Sequence, residues 1–331
     1  MSFIPTVARQ IIAKAVHSNP KSLVTSVFTH KANMTTAIFK HIDTSAQPPN
    51  TKPWSKVDAD ATSFKLVEHK RSVNNLRGRE SEFTTDNSGF AVYAEPSSEK
   101  TFTDDLAVRN VYYHEVEALL RKRLLGIKKV VIFDHTIRRR TPGAARAPVQ
   151  QVHVDQTSGA AEVRVRRHLP PGEAEELLKG RYQIINVWRP IENPASDHPL
   201  AVVDWRSTQP GDFVPIDLLY PKRADSVIDG DDRGKEVRPE DSTVYSTEGY
   251  EVRGETLAVA PNGAHKFYYQ KDMTPDEVLL LKCYDSFGEG EPLGKDGLAT
   301  RTPHTAFIDP QTPEGAPGRQ SIEVRCLVFY E

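Results

Sequence analysis

His153 and Asp155 stand two apart in the run Gln151-Val152-His153-Val154-Asp155-Gln156, and another histidine, His304, lies far downstream. Side chains alternate along an extended chain, so His-x-Asp turns an imidazole and a carboxylate toward the same point. A further imidazole from a neighbouring strand would complete the two-histidine, one-carboxylate face that binds Fe(II) and leaves positions open. His-x-Asp by itself is equally compatible with an exposed strand pair. The residues after His304 sharpen the choice. Arg319 follows it by fifteen positions, and Ser321 comes two later. An arginine can give two parallel hydrogen bonds to a planar carboxylate, and a serine on the same face adds a third donor. A metal that keeps open positions for O2 and for a chelating 2-oxo acid, with a cation for that acid's far carboxylate, fits this order of residues.

Composition narrows the partners. The chain has 331 residues, 38% apolar and 27% charged, with a net charge of −2. That balance gives no electrostatic reason to expect nucleic acid. The cysteines are Cys283 and Cys326 alone, which argues against a disulfide framework or a structural zinc site and for a reducing, cytoplasmic setting. No run reaches the roughly 18 apolar residues of a membrane span. Residues 1–42 contain no Asp or Glu but carry Arg9, Lys14, Lys21, Lys31 and Lys40. Ile4, Val7, Ile11 and Ala15 fall at helical spacing there, the pattern of a mitochondrial transit peptide. A docked or flexible extension is the alternative.

The elements that must position the site come next. Residues 43–62 are rich in Pro, Ser and Asp and read as a linker, so the sequence divides into an extension with linker, 1–62, and one domain, 63–331. A helix is expected over 103–125, with Thr103 as N-cap and Val108, Tyr112, Val116, Leu119, Leu120 and Leu124 on one apolar face. Gly126 is placed to end it. A strand over 129–134 leads to His135, read as a structural histidine. Arg164, Arg166, Arg167 and His168 read as an exposed basic edge, and 170–179 as a short helix. Short strands are expected over 64–69, 90–93, 182–188, 200–205, 213–219, 244–245, 255–259, 266–269, 278–284 and 321–329. Many short strands with helices confined to the first half predict a mainly β protein with flanking helices and a double-stranded β-helix, or jelly-roll, core. Its mouth is the natural place for a small molecule.

Seven blocks in this order carry a family resemblance: FDHTIRRR (133–140), QVHVDQT (151–157), INVWRP (185–190), LAVVDWRS (200–207), TPDEVLLLKCYDS (274–286), PHTAFIDP (303–310) and RQSIEVR (319–325). Over about 64–331 the sequence resembles the fungal hydroxylase/desaturase family of Fe(II)/2-oxoglutarate-dependent oxygenases, which includes the aspergillic-acid-pathway hydroxylase/desaturase and the aziridine-forming valine oxidases. The resemblance implies that His153, Asp155 and His304 bind iron and that Arg319 and Ser321 bind the 5-carboxylate of 2-oxoglutarate. It implies a reaction in which 2-oxoglutarate and O2 give succinate and CO2 while an unactivated C–H bond of a small molecule is oxidised. Hydroxylation, desaturation and aziridine-type ring closure all stay open. The resemblance favours an amino-acid-derived substrate, whose carboxylate would need a cation, and Arg189 and Arg325 are the candidates. Asn186, Trp188 and Tyr284 are further candidates for the pocket wall, although each also fits a place in the core. Lys282 and Ser286 share the face of Tyr284. Gln151 and Gln156 flank the metal pair as partners that could orient it. Two other classes remain: a jelly-roll protein that binds metal or a small molecule without catalysis, and a hydrolase or isomerase using zinc or manganese on the same residues.

Overall fold

Two β-sheets carry the fold in a computed structural model of the chain, which describes residues 34–47, 51–140, 148–223 and 244–331. The targeting pattern of the first 33 residues lies outside the described residues, and so does most of the loop after Arg140. The larger sheet holds β1 (Met34–Ile42), β2 (Trp54–Lys56), β3 (Leu66–Asn75), β6 (His153–Val154), β8 (Leu200–Val203), β9 (Phe213–Pro221), β10 (Tyr250–Val259), β11 (Phe267–Tyr269) and β13 (His304–Ala306). Its spatial order is β1-β3-β11-β8-β13-β6-β10-β9-β2. The smaller sheet holds β4 (Phe90–Ala94), β5 (Ile127–Arg139), β7 (Tyr182–Pro190), β12 (Glu277–Asp285) and β14 (Gln320–Tyr330), in the order β4-β12-β7-β14-β5 with antiparallel neighbours throughout. Three helices flank the sheets: α1 (Tyr113–Arg123), α2 (Ser158–His168) and α3 (Pro171–Leu177). The architecture is the mainly β jelly roll with flanking helices that the strand spacing predicts.

The smaller sheet is two-faced, and its period-two pattern sets the site. Ile185, Val187, Val278, Leu280, Ile322 and Val324 point to one side and pack with Val108, Tyr112, Val116, Leu119 and Leu120 of the α1 segment. Burying each such side chain is worth about 1.5–3 kcal/mol. The alternate residues, Trp188 on β7 and Ser321 and Glu323 on β14, point to the other side, into a cleft between the sheets.

Several elements differ from expectation for local reasons. Residues 34–42, assigned to the extension, form β1 and pair antiparallel with β3 from Met34↔Asn74 to Ile42↔Leu66. Thr35, Ala37, Phe39 and His41 alternate as its buried face, a strand signature that the acid-free composition masks. Within the expected linker, β2 pairs parallel with β9. The helix expected from Thr103 is capped instead by Asp104, whose side chain accepts from the Leu106 amide, and a π-helical turn at Val108–Tyr112 precedes α1. The basic run at 164–168 is the end of α2 rather than an exposed edge. Thr157 caps that helix by accepting from the Ala160 amide, and Ala161 and Val165 are buried one turn apart. Residues 244–245 form a turn, not a strand. His135 sits inside β5, held by Tyr113 Oη at 2.8 Å, in the structural role expected of it.

Candidate active site

β6 and β13 are antiparallel neighbours in the larger sheet, with His153 directly opposite His304. That register brings together two histidines far apart in sequence. Their ring centroids lie 4.5 Å apart. Each ring is oriented the same way. His153 Nδ1 donates to the carbonyl of Gln151 at 2.7 Å, and His304 Nδ1 donates to the carbonyl of Thr302 at 3.0 Å. With Nδ1 protonated, each Nε2 is left as an acceptor. Both Nε2 atoms approach the same carboxylate oxygen, Asp155 Oδ1, at 3.3 and 3.7 Å. The three ligand atoms all fall within 4.8 Å of one another, the one such group found among the described residues.

Three acceptors converging in a buried site repel one another unless a cation sits between them. This donor set, two neutral imidazoles and one carboxylate, fits Fe(II). Without the cation, the electrostatics favour a proton on His153 shared with Asp155 and a neutral His304. Burial would raise the Asp155 carboxyl, but the bond to His153 and the neighbouring His304 hold it well below the usual carboxylate range. Burial would lower His153, but Asp155 outweighs it and leaves the pKa raised. His304, buried and beside His153, is pushed down to about 4.

Supporting contacts hold the ligands. Asn186 Nδ2, from β7, donates to Asp155 Oδ2 at 2.7 Å. Gly89 lies against the 301–302 segment that orients His304; its φ is +89°, and a Cβ there would overlap Thr302 Oγ1 and meet the Arg301 carbonyl at 3.0 Å. Thr302 Oγ1 in turn donates to the Gly89 carbonyl.

The cleft beside the triad is a small cavity of about 60 Å³ that opens to solvent. Arg319 and Ser321 both line it. Arg319 is almost fully buried; its Nη1 donates to the His198 carbonyl at 2.8 Å, and its guanidinium lies over the Trp188 ring at 5.6 Å. Its Nε is buried with no hydrogen-bond partner. Burial and the neighbouring Arg138 push its pKa down to about 10. A buried guanidinium with an unspent donor beside a second arginine fits an anion, as the 5-carboxylate of 2-oxoglutarate would be.

The other sequence candidates divide. Trp188 lines the cleft, and Asn186 reaches it through Asp155. Gln151 acts through its backbone carbonyl, while Gln156 is buried outside the cleft lining. Arg189 points the opposite way from Trp188. Its Nε donates to Tyr112 Oη at 3.0 Å and its Nη1 to the Pro275 carbonyl at 2.6 Å, so it braces the sheet against the α1 segment. Arg325 pairs with Asp134 at 2.7 Å and donates to Thr136 Oγ1 at 2.6 Å. Tyr284 Oη donates to Glu291 at 3.0 Å, and Lys282 is buried against Asp285 at 2.7 Å. None of these last four residues lines the cleft. Both arginines considered for a substrate carboxylate are engaged by protein partners.

The lining also includes residues not singled out in the sequence, among them Thr136, Arg138 and Glu323. The signal was present. Thr136 and Arg138 alternate within FDHTIRRR, and Glu323 continues the alternation of Arg319 and Ser321 within RQSIEVR. Burial and the Asp155 carboxylate push the Glu323 pKa up, against the pull of Arg325 and Arg138.

The chain is similar to known proteins along most of its length. A family model described as an oxidoreductase/YMDC permease-like domain matches residues 38–329. The chain is 34% identical over 275 residues to the hydroxylase/desaturase efuI of Hormonema carpetanum, covering 78% of this chain and 83% of that protein. It is 30% identical over 341 residues to the hydroxylase/desaturase poxK of Penicillium oxalicum, covering 99% and 98%. To the Fe(II)/2-oxoglutarate-dependent dioxygenase nvfI of Aspergillus novofumigatus it is 32% identical over 274 residues, covering 81% and 85%. A solved structure of the iron and alpha-ketoglutarate-dependent endoperoxidase NvfI superposes with a TM-score of 0.71 at 26% identity, covering 91% of this chain and 99% of that one.

Proposed function

The chain belongs to the hydroxylase/desaturase family of Fe(II)/2-oxoglutarate-dependent oxygenases, and from that premise we propose that His153, Asp155 and His304 hold the iron and that Arg319 and Ser321 hold the 5-carboxylate of 2-oxoglutarate. The enzyme is an oxidoreductase. Fe(II), when bound with 2-oxoglutarate and O2, supplies oxidation of an unactivated C–H bond, with 2-oxoglutarate leaving as succinate and CO2. The observation that carries the residue assignment is the convergence of two Nε2 atoms on Asp155 Oδ1 with both Nδ1 atoms tied to carbonyls.

The chain's own residues do the positioning. The carbonyls of Gln151 and Thr302 fix the imidazole tautomers, and Asn186 fixes the carboxylate rotamer. Arg319, braced by His198 and stacked on Trp188, presents Nε to the co-substrate end of the cleft. Trp188, Leu200 and Ala306 supply apolar wall on which a substrate skeleton can rest while one C–H bond is aimed. The substrate is a small molecule of secondary metabolism, and hydroxylation, desaturation and ring closure are alternative outcomes of that aim. No helix of the described residues is long and apolar enough to cross a membrane, and the cysteine-poor, polar composition supports a cytoplasmic location.

The test is an anaerobic titration of the metal-free protein with Fe(II) and 2-oxoglutarate, followed by the visible charge-transfer band of the chelated 2-oxo acid. The wild type develops the band, His153→Ala does not, and Arg319→Ala needs at least tenfold more 2-oxoglutarate to reach it. Absence of the band in the wild type at saturating ligand overturns the assignment and favours a non-catalytic binding protein or a zinc or manganese enzyme.

A further inference from the structure

Among the described residues, Glu323 is the one acidic side chain in the cleft wall other than Asp155. On the cleft face of the smaller sheet, residues in register form short rows. Ser321 lies between Arg138 and Pro190, Glu323 between Thr136 and Trp188, and Arg325 between Asp134 and Asn186. The first row is the co-substrate end, because Ser321 and Arg138 line the cleft beside Arg319. The third row is the metal end, because Asn186 holds Asp155. Glu323 therefore stands midway along the floor, between an aromatic wall and a hydroxyl.

Arg325 and Arg138 lie within electrostatic reach of the Glu323 carboxylate. Among the described residues no hydrogen bond or ion pair holds it, whereas Arg325, Asn186 and Arg319 on the same face all make such bonds. A carboxylate kept in a cleft without a protein donor is stabilised by a donor that arrives from outside. The charges of the described residues do not favour an anion there. Apart from the histidines, the ionisable cleft wall is Arg138 and Arg319 against Asp155 and Glu323. The charges of Fe(II) and a dicarboxylate co-substrate cancel, so among the described residues no surplus positive charge is left for a substrate carboxylate, and Arg189 and Arg325 are engaged elsewhere.

We propose that Glu323 is a specificity-determining residue that accepts a hydrogen bond from an O–H or N–H group of the substrate, whose apolar skeleton lies on Trp188. This rests on the iron and 2-oxoglutarate assignment above and adds a substrate class to it: a largely apolar small molecule bearing a hydroxyl or protonated amine and no carboxylate at that point. A site that must pair a buried acceptor rejects analogues lacking the donor far more strongly than an apolar wall rejects a changed methylene.

The test uses the anaerobic Fe(II)·2-oxoglutarate enzyme and three probes of one skeleton, isobutylamine, isobutanol and isobutyrate, with dissociation constants from ligand-observed NMR. The wild type should bind the amine or the alcohol at least tenfold more tightly than isobutyrate. In Glu323→Gln, a tenfold loss confined to isobutylamine assigns a cationic donor. If isobutanol is the preferred probe and is lost only in Glu323→Leu, the donor is a neutral hydroxyl. Both variants remove the charge of a half-buried residue, and their melting curves verify folding. Isobutyrate binding the wild type as well as the other two overturns the inference, as does any pair of variants that binds all three probes unchanged. A wild type without the charge-transfer band fails at the earlier step, which separates loss of the iron assignment from loss of this one.

Discussion

Asn186 donates its side-chain amide to Asp155 Oδ2 at 2.7 Å, and that bond decides which carboxylate oxygen faces the two imidazoles. Oδ1 is the atom left at 3.3 and 3.7 Å from the histidine nitrogens. The carbonyl of the same Asn186 side chain is buried without a partner, so the fold retains this amide at a cost that its bond to Asp155 offsets. The relationship joins the two sheets at the metal end of the cleft, since Asn186 belongs to β7 and Asp155 follows β6.

Removing that amide should weaken the metal site without dismantling the fold. Asn186→Ala lets the Asp155 carboxylate rotate, and the affinity for Fe(II) should fall about 10- to 100-fold. Equilibrium competition against a chromophoric chelator measures this directly. An unchanged iron affinity would show that Asp155 is oriented by its own backbone alone.

Gly89 predicts a second route to the same loss, from the His304 side. Its φ of +89° and its close approach to Thr302 leave no room for a side chain. Gly89→Ala should destabilise the protein by about 2 kcal/mol or more and displace the Thr302 carbonyl that orients His304. Denaturant unfolding and the iron titration should therefore both respond. A loss of stability with intact iron affinity would uncouple the turn from the ligand.

Arg189 separates bracing from substrate binding. Arg189→Met leaves Tyr112 Oη without its donor in a fully buried place and frees the Pro275 carbonyl. The expected loss is about 2–4 kcal/mol of unfolding free energy, with the 2-oxoglutarate dependence of the charge-transfer band within twofold of the wild type. The reverse outcome, unchanged stability and weakened ligand binding, would return Arg189 to the cleft.

The convergence of His153, Asp155 and His304 was legible because His-x-Asp is a local pattern and the later histidine is followed by Arg-x-Ser. The strand composition gave the jelly roll for the same reason: alternation is written within each segment. What the sequence left ambiguous was the face. Asn186, Trp188 and Arg189 lie within four residues, yet the first meets Asp155, the second the cleft and the third Tyr112. Alternation says that Trp188 and Arg189 oppose each other, but only the packing of α1 says which side is the cleft. Glu323 was overlooked though its register with Ser321 is fixed by period two. β1 was hidden by composition, since a basic, acid-free stretch mimics a targeting segment while Phe39 and His41 are core residues. Helix α2 was hidden by Gly159 in its first turn, where Thr157 supplies the cap that glycine does not.

A carboxylate away from the metal gives the last prediction, a pH dependence of stability. Glu277, at the start of β12, accepts hydrogen bonds from Arg77 Nη2 at 2.9 Å, the Thr274 amide at 2.8 Å and Gln270 Nε2 at 3.0 Å. Burial works against ionisation, but these donors, Arg77 first, hold the carboxyl down at about 2 from an ordinary 4.5. Because the folded value is the lower one, the unfolded chain binds the proton first as pH falls. The contribution is thus complete above about pH 5, shrinks between 4.5 and 2, and is gone below. Allowing for partial solvent screening, it amounts to about 1–2 kcal/mol at neutral pH. Unfolding curves of the wild type and Glu277→Gln, measured from pH 7 down, should differ by that amount at pH 7 and draw together as pH falls toward 2. Curves that stay apart by a constant margin through that window would mean that shape or packing at β12, not the ionised carboxylate, is what the glutamate contributes.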